Sequence, residues 1–575
     1  MRYSWCSLAF PILLLLLLPS SPALAGDSRL SRSAASQPRD GDHHMHMSHN
    51  AAPLLQLNET EITVYHAPTP ESYYTLDIDN LEHSSQRHPG LMFLHATLMT
   101  LAFFVALPVG IAMRSVNHAW HKLATVAFYV FIILGLASNG LYRKLTPNMY
   151  EGQQHARQGF LDHRHPGQRG TSSLNSAEYA GLVSEEPDDM QMVSPISPPP
   201  HKRVHYDDAE LNDTAQWANN VRSHRRDYSH SVASETTIFG RSHSDDDLDC
   251  HPIQKVPLAQ RIGTGIFVTL ERILVFGGLA QVLTGIVVYT GGCRENYLNG
   301  CLAHLIKGAI FWSYGLVSFA RYLGAFAELG WAWNRAPSVG YPSAEFIESF
   351  VIFLYGITNT WMERFGAHAG DAFTTKQIQH IGIAVMFWFA GLVGMAIESK
   401  TVRKWLASST ISALSPSQQN QEVVAEPPTY IASFNPFPAL VIGVTGAAMA
   451  AHAQTYLFQV QIHQLWGNLL VAWSVLRCLT YFFLWLGPPR SMLPSRPPTE
   501  ALGSFFLACG GLSFMFSTEE LTIAAMRRGR DDVMMFLNVA VAITCLCFSW
   551  TIAVVGFKGY LKSRIAPRVA YHSSA

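Results

Sequence analysis

Residues 534–557 read MMFLNVAVAITCLCFSWTIAVVGF, without one Asp, Glu, Lys or Arg. A bilayer core about 30 Å thick needs roughly 20 apolar residues of helix to cross it. This block is long enough, and it is apolar throughout rather than along one stripe. Working outward, blocks of the same kind occupy 91–113, 120–141, 266–290, 302–325, 345–361, 377–397, 437–457, 466–487 and 501–523. The block at 345–361 is short and begins with Glu345 and Glu348. In lipid, only a helix satisfies its own backbone without closing a barrel. The expected fold is therefore all-α: a polytopic transmembrane helix bundle of about ten helices.

Composition supports this. Charged residues are 14% of the 575-residue chain, against about 25% in ordinary soluble proteins. The 40 basic and 41 acidic residues give no general attraction to nucleic acid, so the expected partner is the lipid bilayer. Eight Cys are too few and too scattered for a disulfide framework. Cys293 and Cys301 alone sit close together outside an apolar block, and are the one plausible bridge.

Residues 1–25 read as a signal peptide. Arg2 is the charged start, Ala9 to Leu18 the apolar run, and Ala23-Leu24-Ala25 the cleavage site. The alternative is an uncleaved anchor. Either delivers 26–90 to the lumen or exterior, where Asn58-Glu59-Thr60 is a glycosylation sequon. The expected location is a secretory-pathway membrane: ER, vacuole or plasma membrane. Residues 161–256 hold Ser, Pro, Asp, His and Arg with almost no apolar run. Such a stretch cannot offset its ordering entropy and is expected to be a disordered loop between helices two and three. It divides a two-helix front module, 91–160, from an eight-helix back domain, 257–575.

Charge placement then conflicts with simple alternation. With a lumenal N-terminus and a crossing at every block, the tails after 397, 487 and 557 fall outside. They carry Lys400, Arg403 and Lys404, then Arg490 and Arg496, then Lys558, Lys562, Arg564 and Arg568. The positive-inside rule prefers the back eight helices turned over. One crossing is missing between 143 and 265.

Several stretches carry a resemblance. Thr284-Gly285-Ile286-Val287-Val288-Tyr289-Thr290-Gly291-Gly292 is followed by Asn299-Gly300-Cys301-Leu302-Ala303-His304-Leu305-Ile306-Lys307-Gly308. Phe311-Trp312-Ser313-Tyr314-Gly315, Leu329-Gly330-Trp331-Ala332-Trp333-Asn334, the run from Ser343 to Gly356, and Gly391-Leu392-Val393-Gly394-Met395-Ala396-Ile397-Glu398-Ser399 come next. Over roughly 265–560 the chain resembles the fungal Ytp family of integral membrane proteins, which implies no established activity. Residues 88–160 resemble the associated N-terminal module, through His95, Leu107-Pro108-Val109-Gly110 and Thr146-Pro147-Asn148-Met149-Tyr150. That module is similar to the core of diheme electron carriers of the cytochrome b-561 type. In similar members the stretch equivalent to 155–160 opens a third helix. Here it runs into Asp162-His163-Arg164-His165-Pro166 and no apolar block follows.

His95 and His121 are separated by roughly 18 helical residues, about 27 Å. They cannot share one iron. They could each serve a heme b at its own depth, each heme needing a second axial His. His155 lies on the side of His95 and is its natural partner; His121 has none evident. The plainer alternative is a helix-end histidine bonded to carbonyls or water. In the back domain His304, His380, His452 and His463 lie near one face, as a metal site or as packing. Gly308 and Gly467 follow His304 and His463 by four, which suits a flat macrocycle or a neighbouring helix. Glu271, Arg272, Arg321, Arg477, Glu519 and Glu520 are ionisable groups within spans, and Arg477 with Glu519 or Glu520 is a candidate pair. The tail His43-His44-Met45-His46-Met47-Ser48-His49 joins imidazole to thioether, the donor set that selects copper. Its alternative is low complexity. Three function classes follow: heme-b electron transfer across a membrane, copper or iron handling, and a non-enzymatic scaffold.

Overall fold

A computed structural model describes residues 53–58, 88–146, 155, 258–293, 298–335, 337, 341–362, 372–412, 434–452, 454–487, 491 and 493–565. The signal peptide, the segment 43–49 and the loop 161–256 lie outside the described residues.

All ten apolar blocks are helical. The front module holds α1, Pro89–Arg114, and α2, His121–Leu145. The back domain begins with α3, Leu258–Thr290, and α4, Leu298–Tyr322. Then come α5, Ala344–Met362, and α6, Thr375–Glu398, followed by the exposed α7, Lys400–Ser412. The remainder is α8, Phe437–Ala450, α9, Leu457–Leu486, α10, Pro498–Phe516, the short α11, Glu519–Arg527, and α12, Val533–Ser563. Eight are long and apolar enough to cross a membrane; α5 and α8 are not among them. The fold is an all-α polytopic bundle. Among the described residues the only strand-like pairing is one bridge between Leu54 and Tyr456.

Local chemistry sets the helix limits. Pro89 and Pro498 occupy first-turn positions, where a missing N–H costs nothing. Thr374 and Gln377 close a capping box on α6, and Asp532 caps α12 through Met534 N at 2.9 Å. Within α1 a π turn spans Ala102–Ala106, just before Pro108. Proline donates no N–H and crowds the preceding turn, and a wider turn absorbs both defects. Two blocks end earlier than the sequence reading expects. The block at 437–457 stops at Ala450 and that at 501–523 at Phe516; each leaves a short break before the next helix.

The centre is made by α4, α8, α9 and α10, with Phe311, Val441, Ile442, Trp466, Leu470, Trp473, Leu507 and Phe514 in one buried cluster. Small residues allow this closeness. A Cβ on Gly446 would strike the Gly467 carbonyl and one on Gly467 the Gly446 carbonyl; Gly308 and Gly511 face each other in the same way. Gly308 and Gly467 thus serve helix contact rather than a bound macrocycle. The front module attaches through Leu274 and Val275 of α3, which join Ala102, Ala106, Leu107 and Phe128, and through Trp550 of α12, whose Nε1 donates to Phe104 O at 2.6 Å.

Alternation of the back helices defines two ends. One carries the Cys293–Cys301 disulfide, Cα atoms 5.3 Å apart, with the starts of α4, α9 and α12. The other carries the ends of α4, α6, α9 and α12 and the starts of α5 and α10. There Asn334 Nδ2 reaches Ser491 O and Leu493 O, both at 2.8 Å. The front module fits one way only. Arg114, closing α1, pairs with Glu271, which lies 19 residues before Thr290, about 28 Å of helix from the disulfide end. At the start of α1, Ser138 Oγ of α2 donates to Leu91 O at 2.7 Å. So α1 starts, and α2 finishes, at the disulfide end, whereas α3 starts at the other. Residues 155 and 258 therefore lie at opposite ends of the bundle.

Candidate functional site

The front module brings two of the three expected histidines together. His95 stands in the second turn of α1, and its Nδ1 lies 2.9 Å from Gly135 O of α2. His155 Nδ1 lies 3.0 Å from Thr284 Oγ1 of α3. The Thr284 hydroxyl is also 3.0 Å from Ala280 O; when it donates there, its oxygen accepts from the ring. The Gly135 carbonyl puts the His95 proton on Nδ1 and leaves the Nε2 lone pair, and the contact with Thr284 is compatible with the same tautomer of His155. The His155 ring rests on Gly285, where a Cβ would meet its Cε1 at 3.2 Å. Burial, and then the nearby His95, lower the proton affinity of His155 below the ordinary histidine value. His121 lies at the opposite end of α2, and its ring makes no hydrogen bond among the described residues. The segment from His43 to His49 lies outside them.

The four histidines of the back domain form two pairs at the disulfide end. His304 and His463 have ring centroids 6.1 Å apart, and each Nδ1 donates to the carbonyl four residues earlier, Gly300 and Gln459, at 2.8 Å. His380 and His452 have centroids 5.9 Å apart, with His452 Nδ1 3.0 Å from Gln379 Oε1. Among the described residues the only group of three metal-ligand types is Cys293, Cys301 and Glu520. Its thiols are joined in the disulfide, and Glu520 Oε2 accepts from Cys293 N at 2.7 Å.

The densest chemistry lies at the other end. Arg321 closes α4, Glu345 and Glu348 open α5, Arg477 lies two-thirds along α9 and Glu500 opens α10. Arg321 Nη2 donates to Glu345 Oε1 at 2.6 Å, its Nη1 stands 3.6 Å from Glu348 Oε1, and its Nε donates to Trp331 O at 2.7 Å. Arg477 Nη1 reaches Glu348 Oε2 at 3.2 Å and Oε1 at 3.3 Å. Its Nε lies 2.7 Å from Glu500 Oε1. The Trp333 ring covers both guanidinium groups, at 3.8 and 4.9 Å. Arg477 and Glu500 are each 1% exposed, and Arg321 and Glu345 are 6% and 4%.

This corrects the expected partners of Arg477. Glu519 and Glu520 lie on α11 at the disulfide end, a bundle length away. Sequence reasoning missed Glu500 because it sits just ahead of an apolar block and looks like a flank. The signal that was present is Glu345 and Glu348 inside a block otherwise fit to span.

The chain has recognisable relatives. Residues 277–559 match the family described as protein YTP1-like, C-terminal, and residues 77–161 match a domain of unknown function. The chain is 40% identical over 303 residues to an uncharacterised membrane protein of Schizosaccharomyces pombe, covering 51% of this chain and 58% of that one. It is 38% identical over 278 residues to an uncharacterised membrane protein of Saccharomyces cerevisiae, covering 45% and 42%. It is 27% identical over 293 residues to the protein YTP1 of the same yeast, covering 51% and 54%. The chain thus spans about half the length of the curated relatives it matches. No solved structure matches it. These likenesses support the Ytp family, and together with the eight apolar helices among the described residues they support a multi-pass integral membrane protein.

Proposed function

We propose that the front module holds a heme b between His95 and His155, at the disulfide end, and that the protein carries electrons there. The observation that supports this is the shared state of the two rings. Each comes from a different segment, each sets Nδ1 beside a fixed oxygen, and each can offer Nε2. An outer-shell acceptor of that kind orients an imidazole ligand and raises its basicity. Bis-imidazole heme supplies one-electron exchange without a change of ligands. His121, at the far end, would serve a second group only with a ligand from outside the described residues.

The test is a reduced-minus-oxidised absorption spectrum of the detergent-purified, heme-supplied protein. Sharp b-type bands are expected, lost in His95→Ala and in His155→Ala. A flat spectrum from well-folded protein would sink this reading.

One observation favours a second reading, metal handling. His304 and His463 hold their Nδ1 protons on backbone carbonyls, and their spacing suits two imidazoles on one copper ion. Together with the segment from His43 to His49 they would take up copper on the extracytosolic side. Copper bound by the native protein and lost in His463→Gln, with no heme spectrum, would favour this reading. A protein binding neither would be left with a scaffold role.

A further inference from the structure

The buried cluster at the end opposite the disulfide holds three carboxyl groups against two guanidinium groups. Arginine stays charged in any protein environment. Three ionised carboxylates would leave one uncompensated negative charge among side chains at most about a tenth exposed, and an unpaired ion in such a place is strongly disfavoured. Nor are the three acids equivalent. Glu345 accepts the short bond from Arg321 Nη2. Glu348 receives Arg477 Nη1 on both oxygens and faces Arg321 as well. Glu500 has one close ion pair, Oε1 2.7 Å from Arg477 Nε, with the Thr480 side chain also beside its carboxyl group, while its Oε2 is buried without a hydrogen-bond partner among the described residues. Tyr481 Oη, Trp333 Nε1 and Trp473 Nε1, buried around the same arginines, are also without a hydrogen-bond partner among the described residues.

We propose that this cluster is a proton-binding site, in which Glu500 is held as a carboxylic acid at neutral pH with the proton on Oε2. Its Oε1 then stays beside Arg477 Nε, 2.7 Å away, and the remaining two carboxylates balance the two guanidinium groups. Every packed element contributes to this count. From α4 come Tyr314 and Arg321, from α5 Glu345 and Glu348, from α9 Arg477 and Tyr481, and from α10 Glu500. Beyond the cluster, Arg335 stands two residues past Trp333 and Arg496, exposed, four residues before Glu500; Glu398 of α6 accepts from Ser343 Oγ at 2.6 Å, and Glu328 pairs with Lys562. The unpartnered hydroxyl and indole groups are of the kind that internal water completes.

Infrared spectroscopy of the purified full chain at neutral pH reads this directly. The native protein is expected to show the carbonyl stretch of a protonated carboxyl group, shifted on transfer to heavy water and absent in Glu500→Gln. No such band in the native protein, or a band that survives Glu500→Gln, overturns the proposal. If Glu500→Gln does not fold, Glu345→Gln replaces it. That change removes one negative charge, so Glu500 should ionise and the band should vanish; its persistence overturns the proposal.

Discussion

Arg477 on α9 and Glu348 on α5 stand 129 positions apart in sequence and face each other with Nη1 3.2 Å from Oε2. The pair locks the α5–α6 side of the bundle onto its α9–α10 centre. Removing one member of a buried pair strands the other, at a cost of about 3–5 kcal/mol, whereas removing both costs much less. Arg477→Met should therefore lower thermal stability in detergent sharply, and Arg477→Met with Glu348→Gln should recover part of the loss. A coupling energy of roughly 0.5–3 kcal/mol is expected from the double-mutant cycle. Simple additivity would mean that the two groups do not sense each other.

How far such a site can be read beforehand depends on the range of its contacts. The helices were legible because membrane insertion is a local property: about twenty apolar residues suffice wherever they occur. The sequence also marks Arg321 and Arg477 as unusual within spans. It does not say which acids answer them, because α4, α5, α9 and α10 meet only after folding. Glu345 and Glu348 depress the apolarity of α5, and the same residues face the buried guanidinium groups of Arg321 and Arg477. The sequence placed His155 on the side of His95 through its position after the second helix. Its contact with Thr284, 129 residues away, carried no local signal. Gly308 and Gly467 were read correctly as sites of close approach, but only the fold tells a helix from a cofactor.

Gly446 and Gly467 make a second, independent test of the central packing. Each presents bare backbone to the other's carbonyl, so any side chain forces α8 and α9 apart. Gly467→Val should cost about 1–3 kcal/mol, the usual penalty for overpacking, seen as an earlier loss of the monodisperse peak after heating. Gly556 of α12, where a Cβ meets nothing within 4 Å, is the control; Gly556→Ala should leave that temperature unchanged or raise it slightly.

The histidine pair predicts a pH dependence of stability. His155 is held below the ordinary value of 6.5, first by burial and second by His95. As pH falls through 6.5 the unfolded chain takes up this proton before the folded one does. Stability from this group is therefore complete above about 6.5 and declines below it, towards the folded value. A thermal-stability profile of the heme-free protein across mildly acidic pH should show that decline, and His155→Gln should flatten it. An unchanged profile in the variant would assign the acid sensitivity to other groups.

Two features of the fold predict its orientation. A disulfide persists in oxidising compartments, which puts Cys293–Cys301 on the extracytosolic face. Lys400, Arg403, Lys404, Lys562 and Arg564 gather at the other end, where the positive-inside rule expects cytosol; Arg527, Arg528 and Arg530, beside the disulfide end, run against it. Single cysteines at exposed positions, read with a membrane-impermeant maleimide on sealed microsomes, separate the alternatives. Ser563→Cys should react at once, whereas Arg528→Cys should react only after detergent. Gly90→Cys, at the start of α1, should behave like Arg528→Cys, because α1 and α12 both begin at the disulfide end. That outcome requires the chain between 155 and 258 to pass from one face to the other, although its sequence holds no apolar block of spanning length. If Gly90→Cys instead labels with Ser563→Cys, α1 and α2 are inverted, and the contacts of Arg114 with Glu271 and of Trp550 with Phe104 cannot both exist in the membrane.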